Sequence, residues 1–296
     1  MSDPTFAAHG LGGEWSFAAS EIVPLVAGSV AYLIRYRTLR RKGQAPHPLR
    51  LVSFFAGIAL LVLALASPVD RIGEDQSQLI HMVQHLLLGD VAPLFIVLGV
   101  TGRLLAPLLG FAAIRKLRGL AHPLIAFPIW AVNLYAWHSP FLYEAALHHD
   151  AVHALEHTCM FAAGCLWWAA LIEPLPGPAW FGAIYKVFYL LLARLFSGLL
   201  ANIFIWTRSS FYPYYDGTTR WRGMTPGESQ NLAGILLLTE GMIICLCGLA
   251  WFFFQALSED EARQRLVDGG MDERKAARAA RYGRPEARHV MGSERR

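Results

Sequence analysis

Seven runs of mostly apolar residues succeed one another along the chain, separated by short polar stretches. They cover residues 16–36, 50–67, 79–100, 122–142, 152–172, 184–206 and 231–255. A bilayer core of about 30 Å needs roughly 20 such residues per helix. Lipid offers no hydrogen bonds to an irregular backbone, so each run is expected to be a helix. The expected fold class is all-α: a polytopic membrane bundle of seven transmembrane helices.

Basic residues orient the bundle, because Lys and Arg accumulate on the cytoplasmic side. The first connection carries Arg35, Arg37, Arg40, Arg41, Lys42 and Arg50, and the third carries Arg103, Arg115, Lys116 and Arg118. The stretch after the last run is richer still, from Arg263 to Arg296. The alternate connections hold only Arg71, Arg208, Arg220 and Arg222. The N-terminus is therefore expected outside and the C-terminus in the cytoplasm. The first fourteen residues hold no Lys or Arg, so the first run reads as an uncleaved anchor rather than a signal peptide. Three regions follow: a periplasmic stretch at 1–15, a membrane domain at 16–255 and a basic cytoplasmic tail at 256–296. In the tail, Ser258 before Glu259-Asp260-Glu261 reads as a capping box that starts a short helix. Partial disorder is expected beyond Gly269.

Composition supports the membrane assignment. The chain of 296 residues is 55% hydrophobic and 16% charged, against about 25% charged in soluble domains. That balance excludes an ordinary cytosolic enzyme and a disordered protein. Cys159, Cys165, Cys245 and Cys247 all lie in apolar runs, which excludes a disulfide framework. A net charge of +4 without a basic stripe gives no reason to expect nucleic acid.

Histidines change the picture. His81 and His85 lie at the start of the third run, His138 near the end of the fourth, and His153 and His157 at the start of the fifth. With a rise of 1.5 Å per residue, all five fall within roughly 10 Å of the outer boundary. His81 and His85 are spaced i, i+4 and share a helix face, as do His153 and His157. A lone histidine in a span reads as a packing residue, but five at one depth on three helices read as a convergent ligand set. For the two pairs to form one cluster, the third and fifth runs must pack together at their outer ends. Met160 is one turn beyond His157, whereas Met82 points to the side of the His81–His85 face. Glu156 and Gln84 are candidates to hold the imidazoles from behind. Imidazole with thioether suits Cu(I), and imidazole with carboxylate suits zinc or iron.

Two further features compete for attention. His153-Ala154-Leu155-Glu156-His157 matches the H-x-x-E-H pattern of certain zinc proteases, with Glu156 as base and Glu240 as a candidate third ligand. Asp90, Arg194 and Glu240 lie near the middle of their runs. Charges at that depth need partners, so Arg194 is expected to meet Asp90 or Glu240.

Three stretches resemble the multi-span CtaG family of cytochrome c oxidase assembly factors. They are His81-Met82-Val83-Gln84-His85 with Ala92-Pro93 and Leu98-Gly99, then Trp137-His138-Ser139-Pro140 with Leu142-Tyr143, then His153-Ala154-Leu155-Glu156-His157 running into Trp167-Trp168. The resemblance covers about 50–255. In place of the family's Asp-Gln-Gln and Pro-Gly-Gly elements, the chain reads Ser229-Gln230-Asn231 and Thr239-Glu240-Gly241. The resemblance implies seven spans in the bacterial plasma membrane, no enzymatic reaction, and a part in maturing haem-copper oxidases, plausibly by supplying copper. The implied partners are an oxidase subunit and a copper donor protein, with membrane lipid around the bundle. The expected ligands for Cu(I) are His81, His85, His153 and His157, with His138 and Met160 auxiliary. Two alternatives stay open: an intramembrane zinc hydrolase built on Glu156, and a bis-histidine haem protein.

Overall fold

A computed structural model describes residues 15–282. Residues 1–14 of the expected periplasmic stretch at 1–15, and the end of the tail from 283, lie outside the described residues. The elements run in the order α1 (Ala19–Arg41), α2 (Pro48–Ala66), α3 (Pro68–Gln76), α4 (Gln78–Leu86), a π-helical turn (Leu87–Val91), α5 (Ala92–Gly99), α6 (Gly102–Leu105), α7 (Ala112–Leu117), α8 (Pro123–Trp137), α9 (Pro140–His148), α10 (Asp150–Ile172), α11 (Ala183–Trp206), α12 (Pro226–Asp268) and α13 (Glu273–Tyr282), with short 3₁₀ turns between some of them. No strand occurs among the described residues.

Among the described residues, five helical segments are long and apolar enough to cross a membrane: α2, the Gln78–Gly99 segment, α10, α11 and α12. The fourth expected span, 122–142, is not continuous. Apolar α8 has 15 residues and ends at Trp137. Pro140 opens α9 in its first turn and leaves Ser139 extended, at φ −69° and ψ 139°. A proline disfavours helical backbone in the residue before it, so the run breaks there although its hydropathy does not. The first expected span is α1, of 23 residues, with Glu21 in its first turn and Arg40 and Arg41 in its last.

The chain divides into two compact units. One holds the residues up to Leu175 together with Phe196–Thr239; the other holds Pro176–Leu195 and the residues from Glu240 onward. In the first unit, α1, α2 and α5 are joined by aromatic and polar contacts. Tyr32 stacks on Phe54 with ring centroids 3.9 Å apart, and its hydroxyl donates to the Gly99 carbonyl at 2.9 Å. The Arg50 guanidinium donates to the Leu98 carbonyl at 2.9 Å, capping the end of α5.

In the second unit, Arg194 Nη1 lies 3.5 Å from Glu240 Oε2. The pairing expected for Arg194 is therefore made with Glu240. Ser258 does not start a helix. It lies inside α12, where its hydroxyl donates to the Gln255 carbonyl at 3.0 Å. Pairs at i, i+4, among them Gln255–Glu259 and Arg265–Glu261, support the helix through this stretch. The capping box is instead at the other end of α12. There Thr225 N–H donates to Glu228 Oε2 at 2.8 Å, and Glu228 N–H donates to Thr225 Oγ1 at 3.3 Å. Beyond Gly269 the described residues form α13, Glu273–Tyr282. Leu266, Ala276 and Ala279 form a small core there, and Arg281 donates to the carbonyls of Pro178, Ala179 and Phe181.

Candidate metal centre

The histidines of α4 and α10 meet within the first unit. His81 and His85 have ring centroids 4.2 Å apart, and those of His153 and His157 are 4.1 Å apart. Across the two helices His81 lies 5.5 Å from His153, and His85 lies 6.2 Å from His157. His138, at the end of α8, brings its ring to 5.4 Å from His85. All five are buried, with exposures between 0% for His81 and 8% for His157. The one-cluster geometry expected from the two spacings is thus what the helices form.

Backbone features bring these faces together. Pro93, near the start of α5, has no N–H to return to a preceding carbonyl. The helix widens just before it, and Ala92 N–H reaches the Leu87 carbonyl in the π-helical turn. This turn directly follows the His81–His85 pair. Gly89 in it faces Gly164 of α10, and a Cβ on Gly164 would lie 2.1 Å from the Gly89 carbonyl oxygen. Only glycine permits that approach, which sets α10 against the widened turn. Below it, Trp168 Nε1 donates to Asp90 Oδ1 at 2.7 Å and to the Asp90 carbonyl at 3.0 Å. Asp90 therefore anchors α10 through Trp168, in the unit that holds the histidines. A second close approach places α3 over the cluster. A Cβ on Gly73 would lie 2.8 Å from His81 Cα.

The hydrogen bonds select a tautomer. His138 Nδ1 lies 2.7 Å from the Leu134 carbonyl, which can only accept, so the proton sits on Nδ1. Tyr215 donates its hydroxyl proton to the Gly73 carbonyl at 2.8 Å. Its oxygen is then the acceptor for His81 Nδ1–H at 3.2 Å. Both rings are left with a lone pair on Nε2, the form that binds a metal. Tyr143 reinforces this arrangement: its hydroxyl lies 3.3 Å from that of Tyr215, and its ring stacks on Tyr212 at 3.7 Å.

Those lone pairs find no hydrogen-bond partner among the described residues. The Nε2 atoms of His81, His85, His138, His153 and His157 are buried and make no hydrogen bond, and neither do the two oxygens of Glu156. Each such atom costs about 1–3 kcal/mol. Glu156 is fully buried, with Oε1 3.6 Å from His85 Nε2. Among the described residues, three overlapping sets have ligand atoms within 4.8 Å of one another: His81, His85 and His157; His81, His153 and Glu156; and Asp70, His153 and His157. Imidazole and carboxylate at this spacing fit a first-row metal ion, which takes nitrogen at about 2.0–2.1 Å.

Among the other candidates, Gln84 acts through a carboxylate. Its amide donates to the Ala64 carbonyl at 3.0 Å and to Asp70 Oδ1. Met82 packs in an apolar cluster with Tyr143, Leu147 and Leu200. Met160 is buried, its Cβ 3.9 Å from the position of a Cβ on Gly89. Glu240 belongs to the second unit and is engaged by Arg194.

Sequence reading missed Asp70, Glu74 and Tyr215. Glu74 Oε1 lies 3.7 Å from His153 Nδ1. Burial raises the Glu74 pKa to about 7, with Asp70, Asp75 and Asp150 adding to the rise and Arg71 opposing it. Burial also raises Asp70, and the hydrogen bond from Gln84 opposes that rise. A signal for the two acids was present. Ser67-Pro68 marks a helix start, and Asp70 and Glu74 follow at i, i+4. Tyr215 carried no such signal.

No curated protein and no solved structure matches this chain. The family model for the cytochrome c oxidase caa3 assembly factor, Caa3_CtaG, matches residues 30–259, which include every residue of the histidine cluster. With that match across most of its length, the chain belongs to the CtaG family of cytochrome c oxidase assembly factors.

Proposed function

We propose that this chain binds copper near the outer face of the bacterial plasma membrane and supplies it to a subunit of the oxidase. The reading is carried by one observation: five buried imidazoles converge with unpaired Nε2 atoms beside a buried carboxylate. In this reading α1 and α8 join the five longer segments as a seven-helix bundle, with the N-terminus outside and the C-terminus cytoplasmic. The cluster then opens to the periplasm, where a copper donor protein delivers the ion.

Copper here is cargo, held by His81, His85, His153 and His157, with His138 and Met160 as auxiliary donors. The fixed Nδ1 protons on His81 and His138 present Nε2 to the ion without reorganisation. Glu156 offsets the charge of a monovalent ion in surroundings where an unpaired charge would be costly. More donors than one ion needs, at similar energy, allow stepwise release rather than permanent binding.

Metal analysis and an optical spectrum of the full-length protein, purified from cells grown with copper, test this reading. Copper should be present and a Soret band absent; haem would give that band. Replacing His85 or His157 by Ala should lower bound copper and oxidase maturation together, while membrane insertion persists. Glu156→Gln should weaken copper binding by about 10–100-fold and leave partial function. Zinc retained in that variant, with a hydrolytic activity abolished, would establish the hydrolase instead.

A further inference from the structure

The histidine cluster is graded from one side to the other. Side-chain exposure falls from 25% at Glu74 to 10% at His153, 3% at His85 and zero at Glu156. The exposed end is acidic: Glu74 touches His153, and Asp70 has a carboxylate oxygen within 4.8 Å of ligand nitrogens of His153 and His157. The buried end holds His81 and His85, and their set also includes His157. His157 therefore belongs both to the set with the outer carboxylate and to the set made only of imidazoles. The second observation is the unpaired Nε2 on both His153 and His157, buried at 7% and 8% exposure.

We propose that Asp70, His153 and His157 form an outer metal subsite, which captures the ion at the acidic mouth and passes it to the inner set by ligand exchange about His157. This rests on the copper reading above and adds to it a second position and a direction of loading. The ion keeps its oxidation state throughout, and only its coordinate bonds change: those to Asp70 and His153 break as those to His81 and His85 form. The donor sets account for the direction. A carboxylate is a hard ligand and holds a soft monovalent ion less tightly than imidazole does, so the ion is more stable further in. Glu74 adds a second carboxylate beside His153 at the more exposed side, and acidic groups near a site raise the capture rate of a cation. Gln84 holds Asp70 at its station through the amide hydrogen bond, and from its place on α4 it lies between the two imidazoles of the inner pair in sequence.

The test uses the full-length protein in detergent under anaerobic conditions, with Cu(I) presented as a coloured chelate. The rate of bleaching reports loading, and its final extent reports tight binding. Asp70→Asn keeps an oxygen to accept from Gln84 while removing the charge. It should slow loading about tenfold or more, with a smaller loss of final extent than His85→Ala shows. Glu74→Gln, further from the inner set, should slow loading to a smaller degree. His85→Ala should lower the final extent. Loading of both acidic variants at the parent rate would overturn the outer subsite, as would a loss of final extent in Asp70→Asn equal to that in His85→Ala. Should Asp70→Asn not accumulate, Glu74→Gln loading at the parent rate overturns the proposal by itself. A parent protein that bleaches no chelate would overturn the copper reading itself, an outcome separate from either variant result.

Discussion

At the scale of single residues, a few side chains decide whether an imidazole is a ligand or a packing group. Tyr215 is the clearest case. It accepts from His81 and donates to the Gly73 carbonyl, so it fixes the ring and ties down the helix that covers it. Tyr215→Phe should therefore have two effects. The Gly73 carbonyl loses its donor, at a cost of about 1–3 kcal/mol, read as a lower melting temperature. His81 loses the group that orients it, and metal affinity should fall by about 10–100-fold in a competition titration. A variant with a lower melting temperature but parent affinity would show that the hydroxyl serves the fold alone. His138 receives its tautomer differently, from the Leu134 carbonyl of its own helix. No side-chain substitution removes that bond without replacing the histidine itself.

At the scale of elements, the contact between α10 and the π-helical turn places the two histidine pairs in register. Gly164 is where that contact is closest. A methyl group there has no free volume, so Gly164→Ala should push α10 outward and cost about 1–3 kcal/mol, as overpacking does. The same change at Gly198 meets only Leu238, at 3.9 Å, and serves as the control. Gly164→Ala should lower both thermal stability in detergent and metal occupancy, with Gly198→Ala close to the parent. Equal behaviour of the two variants would mean that the glycine contact does not set the register. The turn itself follows from Pro93, which supplies no N–H to the helix before it. Here that irregularity follows the His81–His85 pair of the candidate site, and π-helical turns are frequent at functional sites.

For the whole molecule, the decisive quantity is the side of the membrane on which the cluster lies. A reporter active only in the periplasm should be active when fused within 143–151 or 207–228, and silent within 37–48 or after 258. The opposite pattern would place the cluster at the cytoplasmic face and remove the proposed route from a periplasmic donor. The charge asymmetry between connections predicts the first outcome. The mid-run pair of Arg194 and Glu240 bears on the same scale. It neutralises two charges that an apolar surrounding would otherwise penalise.

The helical class, the membrane-length segments and the two i, i+4 histidine pairs were legible in the sequence, because hydropathy and helical period are properties of consecutive residues. So was the need for Arg194 to find a partner. Local signals that went against the prevailing hydropathy were harder to weigh: Pro140 ends α8 inside an apolar run, and Ser258 sits within a helix although its neighbours spell a cap. Tertiary structure alone decided what faces the histidines. Tyr215 is 134 residues from His81 in the chain, and Glu74 is on a short polar helix that hydropathy reads as a connection. Their positions depend on close approaches at Gly73 and Gly164, where the absence of a side chain lets two backbones meet. Periodicity shows which residues share a helix face, but the face they meet is set by packing between segments far apart in sequence.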